Sequence, residues 1–159
     1  MAAGVLFVLS GVSLCHTYLG YPLTLAAANR LAGRAWTDAS GLEADEEWPS
    51  VTLVIAAYNE AGIIETKIQN SLALSYPADK LDVVVFSDAS NDGTDDIVRQ
   101  YEDDGVTLER IEGRIGKTEC QNRVVADLES DIVVFSDANS MYETDAVKRG
   151  VAAFAPGID

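Results

Sequence analysis

Two carboxylates stand in the same local setting: Asp88 closes Val84-Val85-Phe86-Ser87 and Asp137 closes Val133-Val134-Phe135-Ser136, and an alanine follows each. An ionised carboxylate is acceptor-only and a hard-cation ligand. Two of them converging at the ends of apolar strands could hold the donors of a nucleoside or coordinate a divalent cation. The repeat has a plainer explanation too, because valine-rich strands and Ser-Asp caps are common in any simple βα grammar. Further chemistry-bearing residues follow the same kind of run: Ala57-Tyr58-Asn59-Glu60 after one, Ser90-Asn91-Asp92-Gly93-Thr94 after Asp88, and Ala138-Asn139-Ser140 after Asp137.

The elements that must position these residues are short apolar runs alternating with helical spacing. Val51 to Ala56, Val83 to Phe86 and Ile132 to Phe135 are apolar on both faces, as central strands of a parallel sheet are, and a weaker strand spans Val106 to Ile111. Ile64, Ile68 and Leu72, then Ile97, Val98 and Tyr101, then Val124, Val125 and Leu128 have helical spacing, as do Val147, Val151 and Phe154 at the end. Ser90 to Thr94 supply turn and cap chemistry for the second helix, and Tyr76-Pro77 stops the first. The pattern predicts an open, mostly parallel, Rossmann-like α/β sheet of right-handed βα units. Its ligands are expected at the carboxyl ends of the strands, where all three motifs fall.

The flanks bound the function. Residues 1–29 carry no Asp, Glu, Lys or Arg, and Val5, Leu6, Phe7, Val8, Leu9, Val12 and Leu14 make the first half densely apolar. A membrane span needs about 20 such residues. We read a transmembrane helix kinked at Pro22, with Tyr18 and Tyr21 near its inner end and His16 tolerated within it. Nothing basic precedes Arg30, so a cleaved signal peptide fits poorly. Arg30 and Arg34 after the span place the soluble part in the cytoplasm, tethered to the cell membrane by a single pass. Residues 30–48 read as an acidic linker and 49–159 as one domain. Against 26 Asp and Glu stand 11 Lys and Arg, a net charge of -15, which excludes nonspecific nucleic-acid binding and suits a high-salt cytoplasm. Two distant cysteines and one histidine argue against a disulfide framework and a zinc site.

These blocks, in this order, resemble the inverting family-2 glycosyltransferases of the GT-A fold. The likeness runs from Pro49 to about Phe154: the opening from Pro49 to Glu60, Asp88 to Thr94, Gly116-Lys117 with Asn122, and Ser136-Asp137-Ala138-Asn139. Tyr18-Leu19-Gly20-Tyr21-Pro22 resembles the leader of membrane-bound members. The resemblance implies the nucleotide-binding half of a GT-A domain, taking a nucleotide-diphosphate sugar and passing the sugar to a growing polysaccharide or lipid-linked glycan. By the same resemblance Ala57, Tyr58 and Glu60 belong to the turn that cradles base and ribose. Asp88 accepts from the base ring, Lys117 approaches the diphosphate, and Asp137 with Asn139 occupies the DxD position that contacts the ribose and holds Mg or Mn.

Two departures stand out. Ala56 replaces a proline frequent in relatives, and Asn139 replaces the second acid of DxD, leaving an amide oxygen that can ligate a hard cation without adding charge; a weak metal site is expected. Asn139 also suits a plain turn or cap before the last helix. The family's general base and its Gln-x-x-Arg-Trp motif are expected beyond residue 159, so this chain should bind donor and transfer little by itself. A membrane-tethered binding or scaffold module without catalysis is the alternative. A receiver-like domain would want paired acids where Ala56-Ala57-Tyr58 stands, and a dinucleotide-binding domain a G-x-G-x-x-G after the first strand.

Overall fold

The computed structural model describes residues 2–31 and 48–153, so residues 32–47 of the expected linker and Phe154 lie outside the described residues. The chain divides into two units. In the first, α1 (Ala2–Cys15), a π-helical turn (His16–Gly20) and α2 (Tyr21–Leu31) follow without a break. Gly4–Ala28, 25 residues, is long and apolar enough to cross a membrane by length and composition. Ser10 and Thr17 donate their hydroxyls to the carbonyls of Leu6 and Ser13, each at 2.9 Å, so these polar groups are satisfied within the helix. At the expected kink, Pro22 has no N–H to return to Tyr18. The wider π turn just ahead of it takes up that mismatch.

The second unit is a four-stranded parallel sheet in the order β3-β2-β1-β4, formed by β1 (Val51–Ala57), β2 (Leu81–Asp88), β3 (Val106–Ile111) and β4 (Ile132–Asp137). Among the described residues it is accompanied by α3 (Ile64–Leu72), α4 (Thr94–Arg99), a 3₁₀ turn (Glu102–Asp104), α5 (Lys117–Ala126) and α6 (Ala146–Ala152). β1 and β2 are buried on both faces because each has a strand on either side and helices above and below. Leu53, Ile55, Val83 and Val85 pack with Ile64 and Ile68 of α3, Val98 of α4 and Val147 and Val151 of α6. Val54, Val84 and Phe86 pack on the other face with Cys120 and Val124 of α5. Residues alternate between these two cores along each strand, as the pleat requires.

Among the described residues β4 pairs with β1 alone, and its Phe135 is 47 % exposed. Two expectations need correcting. Leu72, expected in the core, is exposed at the last turn of α3, which ends ahead of Tyr76-Pro77. Val125 of α5 is exposed, whereas Leu128, expected on the same helix, lies just beyond it and still packs against the core of Val54, Val84 and Phe86. Tyr76 instead pins the approach to β1: its hydroxyl donates to the Pro49 carbonyl at 2.7 Å, and its ring meets Trp48 edge-on. At the amino ends of the strands Asp131 accepts from the Ser50 N–H and hydroxyl, both at 2.8 Å, fixing β1 against β4.

Candidate nucleotide-binding site

Register carries the motifs to one end of the sheet. Ala57 pairs with Ser87 and Ala56 with Asp137, so Asp88 and Asp137 flank the end of β1 from either side. The loop after β1 is then sewn to the loop after β2 through three successive N–H groups. Asn59 N–H donates to Ser90 Oγ at 3.1 Å, Glu60 N–H to Thr94 Oγ1 at 2.8 Å and Ala61 N–H to Asp92 Oδ2 at 3.0 Å. In return Asn91 N–H donates to Asn59 Oδ1 at 2.9 Å. The Ser90-to-Thr94 motif thus caps α4 and also shapes the turn that bears Tyr58 and Glu60. The Thr94 hydroxyl, followed by the Ala61 N–H, holds Asp92 below its usual carboxyl range.

Asp88 is 7 % exposed, and each of its oxygens accepts a backbone N–H, from Ile115 at 2.8 Å and Gly116 at 2.9 Å. This holds the Gly113-to-Gly116 loop across the strand ends and starts α5 at Lys117. Gly116 has φ +93° and ψ 152°, a conformation open to glycine and hardly to other residues. Three non-glycine residues among those described also have positive φ: Asn59 at 55°, Ala89 at 59° and Arg114 at 50°. All three lie in the loops at this end. Cys120 sits beneath, its thiol pushed up to about 11 by burial and then by the Asp88 charge.

Between the loops lies a cleft of about 550 Å³, and every site residue singled out from the sequence lines it: Ala57, Tyr58, Glu60, Asp88, Lys117, Asp137 and Asn139. The Lys117 ammonium forms an ion pair with Asp137 across the cleft, both side chains half-exposed. Arg114, which sequence reasoning missed, places its guanidinium 4.3 Å from the centre of the Tyr58 ring. Its signal was present in Arg114-Ile115-Gly116-Lys117, three residues before a lysine already chosen. Lys67 was missed as well. It lies in the middle of an amphipathic helix, fully buried, with burial lowering its ammonium to about 8 against the pull of Asp137. A larger cavity of about 650 Å³ runs along the α5 face toward the amino ends of the strands, but its Ser50, Thr52 and Ser130 are spent on hydrogen bonds among themselves and to Asp131. Asp82, Glu109, Arg123, Asp127 and Glu129 also line it, but no residue of the strand-end motifs does.

Among the described residues no group of three or more His, Cys, Asp and Glu is placed to hold a metal ion. Asp137 and Asn139 nonetheless offer a carboxylate and an amide oxygen side by side in the cleft, and the Lys117 ammonium already marks the spot as one that attracts a cation. Magnesium-like ions are commonly held by one or two carboxylates, with phosphate oxygens and water completing the shell. The donor set fits an ion shared with a phosphate-bearing ligand.

A family model for glycosyl transferase family 2 matches residues 52–157. Beta-monoglucosyldiacylglycerol synthase of Synechocystis is 33% identical over 112 residues, which cover 68% of this chain and 23% of that enzyme. Poly-beta-1,6-N-acetyl-D-glucosamine synthase of Staphylococcus aureus is 29% identical over 103 residues, 64% of this chain and 24% of that one. Among solved structures, mannosyltransferase PcManGT from Pyrobaculum calidifontis in complex with GDP-Man and Mn2+ superposes with a TM-score of 0.70 at 31% identity, covering 91% of this chain and 43% of its own. S. aureus TarS 1-349 in complex with UDP-GlcNAc gives a TM-score of 0.57 at 22% identity over 65% of this chain and bears on the fold alone. The present chain therefore spans about a quarter of the curated relatives it matches.

Proposed function

The chain belongs to glycosyl transferase family 2, with a GT-A-like fold, and from that premise we propose that residues 49–153 bind the nucleotide-diphosphate part of a sugar donor for an inverting, membrane-anchored transferase. One observation carries the reading: Tyr58, Asp88, Lys117 and Asp137, drawn from four separate segments, line a single cleft at the carboxyl ends of parallel strands. The Tyr58-to-Glu60 turn receives base and ribose. Asp88 keeps lone pairs beyond those given to Ile115 and Gly116, enough to accept from a base ring N–H. Lys117 and Arg114 supply the local positive charge that a diphosphate needs in an otherwise acidic chain. Asp137 and Asn139 would hold Mg or Mn, as does a site in a relative solved with GDP-Man and Mn2+.

When bound, the cation would offset charge on the departing diphosphate. To meet it, Lys117 must give up its pairing with Asp137 and turn to the phosphates, which frees the carboxylate. Direct displacement also needs a base within about 3 Å of the acceptor hydroxyl. Asp88 is committed to the loop and Asp137 to the cation, so we assign this segment donor binding rather than proton abstraction. The acceptor we assign is a glycan or lipid-linked hydroxyl, and Gly4–Ala28 tethers the domain to the cytoplasmic face of the membrane, with Arg30 and Arg34 following it.

Calorimetric titration with UDP and GDP, with and without Mn2+, tests this. One nucleotide should bind, and bind more tightly with Mn2+; Asp137→Ala should abolish the difference. If neither nucleotide binds, the reading is wrong. Binding without any sugar transfer, even when a downstream acceptor-binding part is supplied, would favour a tethered module without catalysis.

A further inference from the structure

A fully buried lysine is costly unless something requires its charge. Lys67 of α3 is 0 % exposed, and its ammonium reaches out of the helix to the Ser140 carbonyl at 2.5 Å while lying 4.0 Å from the centre of the Tyr142 ring. One turn further along α3, the Asn70 side chain takes both backbone groups of Tyr142: it donates to the carbonyl at 2.9 Å and accepts from the N–H at 2.8 Å. Just beyond α3, Ser75 N–H donates to the Thr144 carbonyl at 2.6 Å. Three points of attachment thus fall on the five residues after Asn139. Ser140 in turn closes a tight turn by donating its N–H to the Asp137 carbonyl at 3.1 Å, so whatever fixes Ser140 also fixes Asp137 and Asn139.

We propose that Lys67 and Asn70 are positioning residues, a clamp from α3 that aims Asp137 and Asn139 into the cleft; this rests on the donor-site reading above. The need for such a clamp follows from the motif itself. With one carboxylate and one neutral amide, the turn cannot be organised by the ion alone and must be held in place beforehand by the scaffold. An apolar residue at position 67 would fill the same space at lower cost but would leave the Ser140 carbonyl unpaired. The clamp's attachments all fall on residues 140–144, so it governs the ion and not the base.

The test uses the full chain with Lys67→Met, Asn70→Ala and Asn70→Asp. Mn2+ affinity is read from the free-ion electron paramagnetic resonance signal in saturating UDP or GDP. Metal-free nucleotide affinity is read by calorimetry, and hydrogen exchange over residues 138–144 is followed without metal. Supporting tightly bound ligands from behind is commonly worth about 10- to 100-fold in metal affinity. Lys67→Met and Asn70→Ala should each weaken Mn2+ by that order and speed exchange in the segment, leaving metal-free nucleotide affinity unchanged. Asn70→Asp, which keeps the acceptor for Tyr142 N–H, should fall between. Should Lys67→Met fail to fold, the Asn70 pair carries the test alone. Unaltered or tighter Mn2+ binding in the variants, or an equal loss of metal-free nucleotide binding, overturns the clamp. Absence of Mn2+-dependent binding in the unsubstituted chain would instead sink the donor-site reading.

Discussion

Asp88 holds both backbone N–H groups that begin α5 and lines the cleft, so its removal should be felt twice. Hydrogen bonds to a charged group are worth about 1.5–3 kcal/mol each. Asp88→Ala should lower stability by about 3 kcal/mol in urea unfolding and also abolish nucleotide binding, whereas Lys117→Met should weaken UDP or GDP binding with little change in stability. Ala89 offers the opposite case. Its φ of 59° is left-handed, which costs a non-glycine residue about 1–2 kcal/mol. Ala89→Gly should therefore raise the urea midpoint by about 1 kcal/mol of stability, and a fall would show that the methyl group is needed. Of these residues the sequence named Asp88 from its place at a strand end and Lys117 through the likeness of Gly116-Lys117 to the family. It could not reveal that Asp88 serves a loop 27 and 28 positions downstream, because that partnership is set by the β2–α5 packing.

The helix–loop elements set how stability responds to pH. In α5 the Cys120 thiol, raised from 9.0 to about 11 chiefly by burial, favours its neutral form in the folded chain. Its contribution is fully present below pH 9.0, where the unfolded thiol is also neutral, and is lost as pH rises toward 11. Cys120→Ala should flatten the alkaline limb of a urea-midpoint profile, and iodoacetamide should label Cys120 only on unfolding. The cap of α4 works in the acid direction. Asp92 is held below 3.8 by the Thr94 hydroxyl and the Ala61 N–H, so its contribution is present above 3.8 and lost as pH falls through the lower folded value. Asp92→Asn should flatten the acid limb. At this scale the sequence was informative, since the strands, the helices they alternate with and the cap chemistry are local properties. Leu72 misled because helical spacing cannot tell that the last turn of α3 runs out past the core, and Leu128 because the same spacing continues beyond Ala126, where α5 stops.

For the whole molecule the net charge of -15 acts as a self-repulsion that salt relieves. The Debye length falls from about 30 Å at 0.01 M to about 3 Å at 1 M. Thermal melts in rising KCl should therefore show a rising Tm, and a flat profile would mean that the acidic surface is inconsequential to stability. Sequence alone determined the class of fold, the parallel strands and the end of the sheet where chemistry collects, because these follow from periodicity and cap chemistry, and the likeness of its motifs to the family singled out seven of the residues that line the cleft. Strand order is a different kind of property. That β1 lies between Asp88 and Asp137, that Arg114 faces Tyr58 and that Lys67 reaches Ser140 were decided only by tertiary structure. The last two relations join residues 56 and 73 positions apart and the first depends on which strands are neighbours, and no local pattern encodes either.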